Sequence, residues 1–483
     1  MAEDPVIKNV GEWGKFQLLF VIYIFLSKFS VAQHQISIIF LAPKTVDFKC
    51  AGANDSDIGQ CLENCDGYEY NTEIFTSTII TEWDLVCERS NLANVAQTIT
   101  MFGILCGNML AGYVSDRFGR KYPLATCILL QTVAGSLASI SPNFYVFCFL
   151  KFVSTVGTGG QMVVSFVIMV EWLTQKKRGI LGALYQLPFN LGHLSLPGFS
   201  YLFRDWRVYQ FSFSITTLPL ITYYCFLPES ARWYLTKGKK DKAVKTLTKA
   251  TKCNGNPTDT IEDDCEKFIA GYVGVKRENL TALCSHKIMA FYTAGICFNW
   301  FICGFCYFGV SQYVGTLGGN IFANNAIAAL LGIPGTIIVI FTSNSWGRKG
   351  TTLAMNAFAA IPLIVLLGCP EDPEWIQPLF ASLSMFGIFG LFCIAYIFAG
   401  ELFPTTARNA GLGLCSLTAR MAAMIAPYVQ NLSSYDPRIP AAIYAVMPII
   451  GFVVTMFLPE TLNAELPSNV EESENFKRKG LFK

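Results

Sequence analysis

The 60 residues from Ile288 to Gly347 contain no Asp, Glu, Lys or Arg. A water-soluble domain carries about a quarter charged residues, distributed wherever its surface recurs. Asn91–Ser115, Val208–Pro228 and Trp375–Gly400 are equally free of charge. A bilayer core asks for roughly 20 apolar residues per helix, whereas a barrel strand needs only about 10 alternating ones. With 52% hydrophobic and 14% charged residues, the chain reads as an all-α membrane protein in contact with the lipid bilayer. A net charge of +2 gives no reason to expect a nucleic-acid partner.

The charge-free runs predict twelve spans: 16–42, 91–114, 122–141, 144–170, 179–203, 208–228, 288–315, 322–345, 350–369, 376–400, 409–433 and 440–459. The opening "MAEDPVIKNVGEWGK" is polar and lacks a signal-peptide pattern, so the first span is expected to remain as helix one. Lys and Arg mark the cytoplasmic loops. Arg117, Arg120 and Lys121, then Lys176, Lys177 and Arg178, then Arg348 and Lys349 fall in alternate loops, and segment 229–285 carries 11 basic residues. Loops 5–6 and 11–12 are minor exceptions. Both termini are therefore expected inside, in the plasma membrane.

The loop over residues 43–90 is then outside. Its Cys50, Cys61, Cys65 and Cys87 form an even extracellular set that predicts two disulfides, with three pairings possible. Asn54 heads the glycosylation sequon "NDS" there. The other cysteines read as small apolar residues.

Features recur at half the chain length. "FGRKYP" at 118–123 is echoed by "WGRKGT" at 346–351, Glu171 and Arg178 by Glu401 and Arg408, and "LPES" at 227–230 by "LPET" at 458–461. This divides the chain into a six-helix half over 1–228, a cytoplasmic linker over 229–287, a second six-helix half over 288–460 and a cytoplasmic tail over 461–483. The linker includes a basic amphipathic portion near "KGKKDKAVKTLTKA". Parallel repeats of this kind place a substrate site between the halves, near the midplane. A duplicated channel is the competing architecture, but no re-entrant filter or ring motif is visible.

"GYVSDRFGRK" at 112–121 resembles the loop 2–3 signature of the major facilitator superfamily. "DGYEYNTEIFTSTIITEWDLVC" (66–87), "RDWRVYQ" (204–210), "LPESARWYL" (227–235), "ELFPTTARNAG" (401–411) and "LPETLNAELPSNVEE" (458–472) are narrower. Together they resemble the organic cation, organic anion and carnitine transporter family of that superfamily. The outer loop departs from many relatives, with four cysteines in place of six. The resemblance implies a major facilitator fold and a secondary carrier of small organic ions working by alternating access, read here as a monomer. It also implies a cytoplasmic gate. Asp116 could cap a helix of the opposite half, while Arg117 and Arg120 could bridge to Glu171, Glu229 or Glu401, with Arg178 and Arg408 as the paired basic members. Topogenic charge with surface ion pairs is the plainer alternative.

Few ionisable residues fall inside spans: Lys28, His34, Lys151, His193 and Arg420. Intramembrane charge is costly and usually faces a cavity. His34 is expected close to the outer surface. Lys151 reads as a structural contact or a snorkelling side chain. His193 reads equally as a satisfied polar residue or a ligand. Arg420 is the deepest, with Asn409–Ala419 and Met421–Tyr435 uncharged on either side. By resemblance, cation carriers place an aspartate there, whereas anion and carnitine carriers place an arginine. Cation carriers also tend to hold an acid in helix eight, where this chain has Gly332 within "AALLGIPG". Arg420 is therefore read as the partner of a substrate's anionic group or of chloride. A bond to backbone carbonyls or to an acid of another helix is the structural alternative. Trp300, Tyr307, Tyr396 and Cys393 are substrate-facing by resemblance, with Tyr185, Gln186 and Gln161 as further candidates.

No Walker loop, nucleophile elbow or HExxH is present, and three histidines with scattered cysteines give no metal spacing. The sequence implies neither an enzyme nor a cofactor. "GTGGQ" (157–161) lies inside an apolar helix and is better explained by tight helix packing than by phosphate binding. The favoured substrate is an anion or a carnitine-like zwitterion. An organic cation carrier relying on aromatics is the alternative, and a non-transporting receptor or sensor on the same fold is the second.

Overall fold

The structure, a computed structural model, describes residues 5–52, 58–62, 65, 67–174, 177, 181–182, 184–222, 227–271, 283, 286–370, 372–404, 407–464 and 467. Asn54 and Arg178 lie outside the described residues. Among those described, nine helices are long and apolar enough to cross a bilayer. They are α1 (Lys15–Leu41), α2 (Cys87–Phe118), α4 (Phe144–Trp172), α7 (Lys287–Thr316), α8 (Ile321–Ser345), α9 (Gly347–Leu367), α10 (Ile376–Leu402), α11 (Arg408–Ser434) and α12 (Ile439–Met456). Helices that are shorter or less apolar stand at the predicted third, fifth and sixth spans: α3 (Lys121–Ala138), α5 (Leu187–Leu202) and α6 (Trp206–Ile215), the last followed by a 3-10 turn at Leu218–Thr222.

The repeat seen in the sequence is a repeat in packing. In the first half α4 packs on α2 and α3, α1 on α5, and α6 on α3; in the second α10 packs on α8 and α9, α7 on α11, and α12 on α9. The halves meet where α2 packs on α11 and α5 on α8. Small residues allow these approaches. A Cβ at Gly159, in the "GTGGQ" run, would collide with the Ile104 carbonyl of α2, and one at Gly335 with the Phe386 carbonyl of α10. Without lipid-excluding hydrophobicity to drive association, such close backbone contact is the main source of helix affinity in a bilayer.

The outer loop carries a two-stranded antiparallel sheet, β1 (Phe48–Cys50) and β2 (Tyr68–Tyr70). Disulfides join Cys50 to Cys65 and Cys61 to Cys87. The Thr78–Thr81 capping box starts a short helix, Ile79–Glu82, whose Glu82 accepts from Trp206 Nε1 at 2.6 Å and pairs with Arg207. Trp83 meets the Trp206 ring edge-on, with centroids 5.1 Å apart. Two sequence stretches far apart in the chain, "TEWDLVC" and "RDWRVYQ", are thus one contact that ties the loop to the start of α6. Mass spectrometry of unreduced, proteolysed protein is expected to recover the 50–65 and 61–87 linked peptides. Any free or differently paired thiol among the four contradicts the structure.

At the opposite end, the linker helices Lys240–Asn254 and Ile261–Gly271 pack on each other and on an N-terminal helix, Pro5–Val10. Lys8 pairs with Asp264 at 2.7 Å, and Asn9 Nδ2 donates to the same carboxylate at 3.1 Å.

Candidate substrate site and cytoplasmic charge clusters

Between the halves lies a small cavity. Each half contributes three helices' worth of lining: Lys28 and Gln35 from α1, Met162 from α4, and Gln186, Phe189 and Asn190 at α5; then Tyr307 and Phe308 from α7, Phe389, Phe392 and Tyr396 from α10, and Arg420 from α11. Among the described residues, no lining residue is a carboxylate. Two are cations, one on each half.

Arg420 is 4% exposed. Its Nη2 lies 3.3 Å from the Met162 thioether, a weak acceptor, and its Nε has no partner among the described residues. Neither structural alternative, a carbonyl or an acid of another helix, is among its described hydrogen bonds. Lys28 is 2% exposed, with its ammonium 4.8 Å from the Tyr185 ring centroid and 5.0 Å from that of Phe189. Cation–π contacts stabilise a charge but do not neutralise it. Asn190 Nδ2 crosses between the halves, donating to Thr336 Oγ1 at 2.9 Å and to the Gly332 carbonyl at 3.3 Å. Tyr307 OH and His193 Nδ1 are 3.1 Å apart across the same interface. The space that a side chain at Gly332 would need is filled by the Phe389 ring. An acid at that helix-eight position would have to displace an aromatic.

The structure brings Arg420, Tyr307, Tyr396 and Gln186 to the cavity and sets the other candidates one layer back. Trp300 stacks edge-on against Tyr396 at 4.4 Å and so buttresses a lining residue. Tyr185 bonds Ser165 Oγ at 2.6 Å beneath Lys28. Gln161 Nε2 donates to Ser27 Oγ at 2.7 Å and Ser30 Oγ at 3.0 Å inside the first half. Cys393 is buried in the core of the second half. Lys28, Gln35, Asn190 and the phenylalanines were not singled out as lining. Lys28 carried a signal, being an intramembrane charge, but helical spacing alone could not show that it faces Arg420's cavity. His34 is fully buried within the first half, with Nδ1 3.3 Å from Ser154 Oγ. Lys151 is a structural contact rather than a snorkelling chain, donating to Ser37 Oγ at 2.8 Å and Gln210 Oε1 at 3.3 Å.

The charges at the linker end include the expected pairing of Arg120 with Glu171. In this structure their described ion pairs close within each half and do not reach across. Arg120 pairs with Asp116 at 2.7 Å and Glu171 at 3.0 Å, and Glu229 accepts from the backbone N–H of Arg120 at 2.7 Å and Lys121 at 3.1 Å. In the other half Arg348 pairs with Glu401 at 2.7 Å, and Glu460 accepts from the N–H of Arg348 at 2.8 Å and Lys349 at 3.0 Å. Arg348 and Glu460 complete the second cluster and were not singled out as gate residues, although the half-chain offset points to both. Burial works against the Arg120 charge, but the Glu171 and Asp116 carboxylates outweigh it and hold the guanidinium above its usual range. Arg117 lies over the Phe118 ring, and Arg408 opens α11 with two guanidinium nitrogens lacking a partner among the described residues.

The halves touch at the end that carries the disulfide-bonded loop. Asn431 Oδ1 accepts from Lys44 Nζ and Asn94 Nδ2, both at 3.0 Å, and its Nδ2 donates to Asn91 Oδ1 at 2.8 Å. Phe40 and Phe322 stack at 6.0 Å. Two pseudo-symmetric bundles, in contact with each other beside a central cavity, define a membrane carrier of the major facilitator type. The model of the sugar (and other) transporter family matches residues 57–470. An organic cation transporter protein of Drosophila melanogaster is 29% identical, over 99% of this chain and 96% of that one. Human organic anion transporter 3 is 29% identical, over 99% and 94%. The solved structure of the inward-open xylose transporter XylE from E. coli superposes with a TM-score of 0.65 at 16% identity, over 92% of this chain and 98% of that one. This chain belongs to the sugar (and other) transporter family, in its organic cation and organic anion transporter branch, solute carrier family 22. It is a multi-pass membrane transporter and not an enzyme.

Proposed function

We propose that the chain is a plasma-membrane secondary carrier, with both termini cytoplasmic, that moves small organic anions or carnitine-like zwitterions by alternating access as a monomer. The observation that carries the reading is the pair of buried cations, Lys28 and Arg420, on a cavity whose described lining residues include no carboxylate. In a desolvated site, a guanidinium with an unpartnered nitrogen favours a carboxylate that can fork onto it. The cation alternative draws on the aromatic lining and on relatives named for cations. However, Lys28 already occupies the faces of Tyr185 and Phe189, and a second cation there would meet like charge. A zwitterion fits if its ammonium end sits against the other rings.

Uptake into proteoliposomes of one labelled carboxylate, one betaine and one quaternary amine lacking a carboxylate tests this. Carboxylate and betaine are expected to be taken up and the bare amine is not. Lys28→Met is expected to reduce carboxylate uptake about tenfold, the loss of roughly 1.4 kcal/mol of attraction. Preferential uptake of the bare amine overturns the reading.

A further inference from the structure

The linker helix Lys240–Asn254 buries Ala243, Leu247, Ala250 and Thr251. Lys242, Lys245, Lys249 and Lys252 are all exposed and follow the spacing i, i+3, i+7, i+10, which puts them in one stripe opposite the buried face. None of the four has an acidic partner among the described residues. By contrast, Lys240 is paired with Glu262 at 3.0 Å and Glu266 at 2.7 Å. The stripe has a fixed height. Asn254, the last residue of the helix, accepts from Phe16 N–H at 2.9 Å and donates to Gln17 Oε1 at 2.7 Å. Phe16 and Gln17 belong to the first turn of α1, where the chain enters the bilayer. The lysines thus run along a helix whose C-terminal end is tied to the start of the first membrane-spanning helix.

We propose that this stripe binds anionic phospholipid headgroups of the inner leaflet and holds the linker against the membrane. The proposal rests on the cytoplasmic placement of the linker. Charge complementarity selects the partner: the inner leaflet is the anionic one, and each lysine near such a surface gains roughly fivefold in local population. The stripe's opposite face is already committed to protein. Phosphate oxygens accept from ammonium groups without requiring a shaped pocket, which suits four flexible side chains on an open face. Screening shortens such attraction to about 10 Å at moderate salt, so only lysines held at headgroup level profit from it.

The test uses the purified full chain in nanodiscs of phosphatidylcholine alone, or with about a third phosphatidylserine, a content chosen to give a strongly negative surface. Acylation rates at Lys242, Lys245, Lys249 and Lys252 are read by mass spectrometry, with transport activity measured separately. Rates at the four are expected to be about threefold or more lower in the anionic discs, recovering at high salt. Equal rates in the two discs overturn the proposal. Equal protection in phosphatidylcholine alone also overturns it and assigns the stripe to a protein cover. Protection by soluble glycerophosphoserine added to phosphatidylcholine discs would show headgroup chemistry without membrane docking, and overturns it too. Because lysine protection does not depend on what the carrier moves, failure here leaves the substrate reading standing, and failure of the substrate panel leaves this one standing.

Discussion

Arg420→Ala is expected to abolish carboxylate uptake while leaving the protein folded and at the surface. Removing one member of a desolvated charge pair costs about 2–5 kcal/mol, which corresponds to an affinity loss on the order of 30-fold or more. The structure explains why the variant should fold. The described contact of the guanidinium is a thioether 3.3 Å away, so deleting it strands no buried acid among the described residues. Arg420→Lys should retain a little uptake, since charge survives without the fork. Arg420→Asp should bias the site toward cations, tempered by Lys28 in the same cavity. Uptake normalised to surface expression, for one carboxylate and one quaternary amine, checks all three. If Arg420→Ala expresses well and carries the carboxylate normally, the anion site is elsewhere and the substrate preference goes with it.

The second large effect is expected at the inner end of the first half. Arg120 is 8% exposed and serves Asp116, Glu171 and Ser115 together. Arg120→Ala should destabilise the half by about 1–2 kcal/mol, because it removes the donor shared by the partly buried Glu171 and by Ser115. Asp116 has a side chain 51% exposed, so Asp116→Asn should cost under about 1 kcal/mol of stability. Its expected effect is on turnover: slower transport with substrate binding largely intact. Thermal midpoints of the purified variants, with binding and uptake on the same preparations, separate the two roles. Equal midpoints for Arg120→Ala and the parent chain would remove the structural role given to that arginine. Normal turnover in Asp116→Asn would remove the gating role given to the carboxylate.

The bilayer makes much of this fold legible in one dimension. In hydrocarbon each helix satisfies its own backbone, so hydropathy alone marks Lys287–Thr316 or Ile376–Leu402. The half-chain offset announced the duplicated packing, because equivalent charges must recur at equivalent helix ends. Arg420 stood out because an unscreened charge inside an apolar run needs a reason to be there. The third, fifth and sixth spans were less legible: α5 and α6 are short, and polar or proline-bearing segments interrupt their apolar character.

What the sequence by itself determined is therefore the solvent, the repeat, the carrier family and the one deep arginine. The solvent, the repeat and the arginine rest on local composition and on spacing along the chain, and the family on the resemblance of its motifs. Tertiary structure alone decided which of three disulfide pairings forms, that Arg120 and Arg348 each serve their own half, and that Lys28 shares a cavity with Arg420 while Trp300 and Gln161 stand behind the lining. Facing residues across the midplane come from six different helices, and their rotation about their own axes is set by small-residue packing such as Gly159 against Ile104. Periodicity gives the faces of one helix, but the choice of which face meets the cavity is made by its neighbours.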